Sequence, residues 1–423
     1  MPNQNLNALS AAAQAVLPTV IDRELFCVAY YPECLTDLPT APLSDVKWNG
    51  LLGGLSADGE ERFRDQLLRW KKLRKEANEM PTRTDQTAPL PPLQPPSRGL
   101  RPGAPYDPSL HIPNPAFESQ IHRKLVNGED VSLIGGDAQG KTWWAHHFLY
   151  TLRTQRRDAK AIYVDLARNG DFDLSTSVYP WLRTELIRQL RVTESESKRC
   201  PEAPRRLVEV GELVRAYFER PECAHHKVVL AFDGISRLMR RQSGAQFHDH
   251  LRALLDQSME NRSVLLLLDE EIPLVKGDRS RLPTPGLVPD YPRGQLNRLA
   301  QQYDLELTPE DAHRLWRLLG GHPYLCRMAM YRKQQGSVST DSWLEDAACA
   351  KDGGPAFQEH LSKIRTQLTE QQLDGLRTVY ENAGSGCTGE VLALLLRRNL
   401  ILRNELSGKH HLHCRLYLHL LRP

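Results

Sequence analysis

No Cys-x-x-Cys pair occurs in this chain of 423 residues, and its eight cysteines (27, 34, 200, 223, 326, 349, 387 and 414) are too sparse for a disulfide framework. Reduced thiols are expected. The chain also lacks any apolar run of about eighteen residues, and no basic-then-apolar leader follows Met1. A cytoplasmic protein without a membrane anchor is therefore expected. Charge of one sign is not in excess: 55 Lys+Arg against 52 Asp+Glu leave a formal +3. Any attraction to nucleic acid or anionic lipid must then come from a local patch. The five residues His410-His411-Leu412-His413-Cys414 crowd metal-ligand types together, but they cannot all face one ion and no distant partner pair is evident. An ordinary polar strand face is the expectation there.

Proline is concentrated in one place. Residues 81–115 hold eleven of the twenty-nine prolines, which excludes helix and central strand and reads as a semi-rigid spacer over 81–110. A docking site for a proline-recognising domain is the alternative, with no independent support. Before it, residues 9–16 read as helix, 26–31 as an apolar run, and 60–79 as an amphipathic helix with Phe63, Leu67, Leu68, Trp70 and Leu73 at helical spacing. Residues 1–80 are thus expected to form a small, mainly helical adaptor or interaction module with its aromatics in the core. No grouping of nucleophile, base and acid appears in it, so a protein partner is expected rather than catalysis.

After the spacer, short apolar runs alternate with helical patterns: strands over 131–134, 161–166, 228–232 and 264–268, helices over 141–154, 179–190, 205–218 and 247–258. That alternation predicts an α/β fold, a parallel sheet covered on both faces, with its ligand site beyond the carboxyl ends of the strands.

Gly135-Gly136-Asp137-Ala138-Gln139-Gly140-Lys141-Thr142 carries G-x-x-x-x-G-K-[ST] between the first strand and the first helix. Glycines let successive N–H groups turn inward around phosphate oxygens, and the helix start adds its positive dipole end. A nucleoside triphosphate and Mg²⁺ are the expected ligands. Gly135, Gly136, Gln139, Gly140, Lys141, Thr142 and Trp143 are expected to line the nucleotide, with Lys141 reaching the β- and γ-phosphates and Thr142 placing its hydroxyl on Mg²⁺. Asp137 is out of character, since a carboxylate repels polyphosphate unless it points outward or is offset. It is expected to lower affinity.

The strand 227–233 ends in a carboxylate, and Asp233 is the candidate metal partner of Thr142. With Lys141 it makes the candidate catalytic pair. Gly234 follows where many ATPases of this broad type carry a water-polarising glutamate, so binding is a firmer expectation than hydrolysis. Asp269, Glu270 and Glu271 are candidate replacements if the strand 264–268 neighbours the strand of Asp233; a solvated loop is the alternative.

These motifs, with Val229-Leu230-Ala231-Phe232-Asp233-Gly234-Ile235-Ser236-Arg237-Leu238 and Gly320-Gly321-His322-Pro323-Tyr324-Leu325, resemble those of the signal-transduction ATPases with numerous domains (STAND), a bacterial AAA-like class of P-loop ATPases. The resemblance covers about residues 105 to 423. It implies a P-loop core over 111–290, a helical lid over 291–354 in which Pro323 contacts the nucleotide, and a C-terminal winged helix over 355–423. It also implies ATP as the nucleotide, and signalling or antiviral defence through nucleotide-dependent oligomers. Gly234, Asp137, Ala138 and Trp143 depart from the pattern.

The residues themselves read similarly at the C-terminus: helices over 368–380 and 390–397, strands over 400–403 and 411–416, and a Ser407-Gly408 turn. From Arg397 to Arg422 six Lys/Arg face one Glu. Such a wing has the charge to grip nucleic-acid phosphates, which leaves a DNA-associated ATPase as the alternative to a switch.

Overall fold

The computed structural model describes residues 2–17, 20–30, 48, 51–52, 55, 57–79, 105–136, 138–166, 177–239, 244–257, 259–269, 285–335, 357–404 and 407–421. The proline-rich stretch 81–104, Asp137, Glu270, Glu271 and Arg422 lie outside them. The chain divides into two compact units, Pro105–Pro289 and a second made of Met1–Ala104 with Asp290–Pro423.

The first unit is built on a five-stranded sheet of order β2-β3-β4-β1-β5, with β1 Val131–Ile134, β2 Ala159–Asp165, β3 Lys227–Asp233, β4 Arg262–Leu268 and β5 Pro285–Leu287. Every pairing is parallel. Alternate side chains serve opposite cores: Leu230, Phe232, Val264 and Leu266 pack with the helices Tyr179–Leu190, Leu207–Phe218 and Gly244–Asp256. Val229, Ala231, Leu265 and Leu267 pack with Trp144, Phe148 and Leu152 of the helix Lys141–Gln155 and with Ile121 and Leu125 of the helix Pro115–Val126. Each large side chain so buried contributes about 1.5–3 kcal/mol, which is why these runs read as apolar on both faces. β5 escapes a reading from sequence because it opens on proline and holds glycine; it is an edge strand, where a missing N–H is tolerated.

In the second unit the helices Pro2–Val16, Val20–Tyr30 and Ala57–Glu79 gather Phe26, Phe63 and Trp70, with ring centroids 5.4 and 5.5 Å from Phe26. These aromatics are core, as expected. Leu68, expected on the same apolar stripe, is instead 65% exposed; it follows Leu67 by one position and so turns to the helix's outer face.

The helix Pro309–Leu319 ends at Gly320 and Gly321, both left-handed (φ 63° and 79°), before the helix Pro323–Gln335. A Cβ on Gly320 would lie 2.5 Å from the His413 carbonyl oxygen, and one on Gly321 would lie 2.3 Å from that of Tyr291. Only glycine fits at either place. Further on come the helices Gln358–Gln367, Glu370–Asn382 and Gly389–Arg397 and an antiparallel pair of β6 Ile401–Arg403 with β7 His410–Leu412. The strand expected over 411–416 stops at Leu412, and Arg415–Leu421 is a 3-10 helix whose seven residues are all buried. A half-exposed strand would have left alternate residues in water.

Candidate functional site

β4 separates β1 from β3, so the carboxyl ends of these three strands deliver Gly135, Asp269 and Asp233 side by side. The Gly135 N–H donates to the Leu268 carbonyl (3.2 Å), and the Gln139 N–H closes back on the Gly136 carbonyl (3.2 Å). The loop is tight: a Cβ on Gly135 would lie 2.9 Å from that of Gln139. Ala138 and Gly140 take left-handed φ of 62° and 90°, and Gly140 caps the helix Lys141–Gln155 without a side-chain hydrogen bond. The loop thus leads straight into the positive end of that helix, where N–H groups favour an anion.

Lys141 is 7% exposed. Its ammonium donates to the carbonyls of Gly135 and Gly136, each at 2.8 Å, and lies 2.9 Å from Asp269 Oδ1. An ammonium has three donors, and these three acceptors match them. The Asp269 N–H donates to Ser236 Oγ at 2.7 Å, which anchors the residue just past β4. The pairing of β4 with β3, on which a role for Asp269 depended, is present.

Thr142 Oγ1 donates to Asp233 Oδ2 at 2.5 Å, the Tyr163 hydroxyl donates to the same oxygen at 2.7 Å, and the Gly234 N–H donates to Oδ1 at 2.7 Å. A hydroxyl has one proton; once it is given to Asp233, Thr142 has only lone pairs to offer outward. Hard oxygen donors from a hydroxyl and a carboxylate suit Mg²⁺, which keeps several waters and takes few protein ligands. Gly234 has φ 75°, a backbone region that disfavours glutamate. The turn that replaces the usual acid is thus itself glycine-dependent.

Tyr163 is the site residue that sequence reading missed. β2 pairs in parallel with β3, Asp165 opposite Asp233, and only that register places a tyrosine two residues back within reach of the carboxylate.

Trp143 points elsewhere than expected. Its indole N–H donates to His111 Nδ1 at 3.3 Å and its ring meets Tyr106 edge-on at 4.7 Å. His111 and His147 stack at 3.7 Å, Glu118 Oε1 lies 3.1 Å from His111 Nε2, and Tyr106 OH bonds His147 Nδ1 at 3.0 Å. Burial, then the neighbouring His111, push the His147 pKa down to about 4. Ligand atoms of His111, Glu118 and His147 come within 4.8 Å of one another, a metal-like grouping. Yet indole can only donate, so His111 carries its own proton on Nε2, the atom facing Glu118. The group is a hydrogen-bonded staple holding residues 105–111 to the helix Lys141–Gln155.

Gly135, Gly136, Gln139, Gly140, Lys141, Thr142 and Asp233 thus come together in the first unit. Pro323 belongs to the second, where it is buried as the first residue of its helix. His413 is buried as well, with Nε2 3.0 Å from Asp290, so it shares no exposed strand face with His411.

Residues 102–421 match the family model described as an AAA-like domain. The chain belongs to this AAA-like domain family. Among solved structures, this AAA-like protein is similar to the Walker-type ATPase PABY2304 of Pyrococcus abyssi, at 16% identity and a TM-score of 0.52, over 77% of this chain and 99% of that one. The Aeropyrum pernix Orc1 protein in complex with DNA matches at 15% identity and a TM-score of 0.32, over 73% and 92%. A STAND protein of Pyrococcus horikoshii with a tetratricopeptide repeat sensor matches at 14% and 0.31, over 75% of this chain and 43% of that one. No curated protein matches the chain. A P-loop ATPase fold is established, and such a fold implies nucleotide binding, typically with magnesium. Among the described residues no helix is long and apolar enough to cross a membrane.

Proposed function

We propose that this AAA-like protein is an ATP- and Mg²⁺-controlled switch that changes conformation or assembles on nucleotide binding and hydrolyses ATP slowly. The observation that carries the reading is the meeting of Lys141, Thr142 and Asp233 at the mouth of the glycine loop. The phosphates would lie on the loop and helix N–H groups, Lys141 would neutralise them, and Thr142 with Asp233 would hold Mg²⁺, which when bound draws charge from the γ-phosphate. Gly234 offers no base, so the only described carboxylate beside Lys141, Asp269, is the candidate for orienting water. ATP drives a switch only by binding one arrangement better than the other. Pro323, at the rigid start of its helix, is proposed as the lid contact.

In this reading residues 1–80 recruit a protein partner, 81–110 space them from the core, 111–290 bind nucleotide, 291–354 form the lid, and 355–423 are a winged helix. Three helices followed by a hairpin support the last assignment. A homo-oligomer, a bacterial setting and a place in defence signalling rest on the STAND resemblance of the motifs.

A second reading, a DNA-associated ATPase, draws on exposed Arg403 and Lys409 at the hairpin. It is weakened by Arg415, which is 1% exposed, and by Arg398, whose guanidinium donates to the Gln367 carbonyl at 2.7 Å. Duplex binding that falls with salt and is abolished by Arg403→Glu with Lys409→Glu would favour it.

The switch reading requires Mg²⁺-dependent ATP binding lost in Lys141→Ala, with ADP released more slowly than about 1 per second, the low end of ordinary turnover. ATP binding unaffected by Lys141→Ala, or turnover well above that rate, would remove it.

A further inference from the structure

The Asp233 carboxylate takes more support than a metal partner alone explains. Oδ1 is fixed by the Gly234 N–H, while Oδ2 receives both Thr142 and Tyr163. Tyr163 is itself clamped: its ring lies 4.2 Å from that of His146, tilted by 38°. His146 is four residues beyond Thr142 on one helix, hence on the same face. One helix turn thus presents the magnesium hydroxyl and the wall behind the tyrosine, and β2, the neighbour of β3, supplies the tyrosine.

We propose that Tyr163 is a positioning residue of the magnesium site, its hydroxyl holding the Asp233 carboxylate in the orientation that commits the Thr142 proton. The inference rests on the reading of the site as one for Mg²⁺ and nucleotide. The chemistry runs as a chain. If Asp233 turns away, the Thr142 proton is free to point outward, toward the place a cation would take, and the hydroxyl ceases to be a good ligand. Tyr163 opposes that turn by donating to the same Oδ2 that takes the Thr142 proton. Partners that orient a metal's own ligands typically change metal affinity about 10–100-fold when lost.

The test uses the full chain with Tyr163→Phe, which keeps the ring against His146 and removes only the hydroxyl. ATP binding is titrated with Mg²⁺, and Mn²⁺ bound in the presence of ATP is counted by electron paramagnetic resonance. We expect the metal concentration at half-effect to rise about 10-fold or more, while ATP affinity in chelator moves less than about 2-fold. In an Asp233→Asn background the same change should alter metal dependence by less than about 2-fold, because the tyrosine then has no carboxylate to hold; a merely structural role would persist there. Wild-type metal dependence in Tyr163→Phe, or an undiminished effect in the Asp233→Asn background, overturns the inference alone. A wild type whose ATP binding is indifferent to Mg²⁺ overturns the site reading, and the inference with it.

Discussion

Replacing Asp269 by asparagine should tighten ATP binding, although it removes one of the bonds that hold the site. Lys141 cannot serve a phosphate without releasing one of its three acceptors. Asp269 is the charged one, and hydrogen bonds to charged groups contribute about 1.5–3 kcal/mol against about 0.5–1.5 for neutral ones. The difference is about 1–1.5 kcal/mol. Because the Asp269 side chain is about one-third exposed (32%), solvent screening favours the lower figure, about 1 kcal/mol. Loss of like-charge repulsion on the polyphosphate acts in the same direction. Asp269→Asn should therefore lower the ATP dissociation constant about 5-fold, as read by calorimetric titration with Mg²⁺ present. If Asp269 also orients water, ADP production should fall in the same variant, separating binding from turnover. Unchanged or weaker ATP binding would refute the competition for Lys141.

Two other outcomes follow from packing and titration in the second unit. Gly321→Ala meets left-handed strain of about 1–2 kcal/mol, and relief of the 2.3 Å approach to Tyr291 would sacrifice the Tyr291 N–H bond to the Gly321 carbonyl and the Trp316 bond to the Tyr291 carbonyl, about 1 kcal/mol each. A loss of about 3 kcal/mol in urea unfolding is expected, against less than about 0.5 for Gly294→Ala, where nothing lies within 4 Å. Burial lowers the pKa of His413, but the Asp290 charge and hydrogen bond, with the Asn399 carbonyl, outweigh it and raise the net value. A raised folded pKa gives stability that is full below the unfolded value of about 6.5 and lost as pH climbs through the folded one. The stability advantage of wild type over His413→Asn should thus shrink as pH rises above about 6.5; an advantage that grows with pH would contradict the ion pair.

The sheet was legible because its strands are apolar runs and its helices amphipathic, and the helix over 179–190 falls where its periodicity places it. Gly135 to Thr142 and Asp233 stood out because a phosphate loop and its metal partner have fixed residue types at fixed spacing, and the structure brings them together. What was hidden depends on pairing between distant segments. Tyr163 acquires its role from the β2–β3 register, and Trp143, adjacent to Thr142 in sequence, turns toward His111 because successive helical positions differ by about 100°. Neither fact has a local signature. The glycines at 320 and 321 could be read as a helix stop, but not as the points where the His413 and Tyr291 carbonyls come closest.

Sedimentation velocity of the full chain with and without ATP and Mg²⁺, in wild type and Lys141→Ala, tests the switch most directly. The account predicts a nucleotide-dependent change in sedimentation coefficient in wild type that is lost in Lys141→Ala. Wild type that binds ATP and Mg²⁺ yet sediments identically with and without them would contradict it.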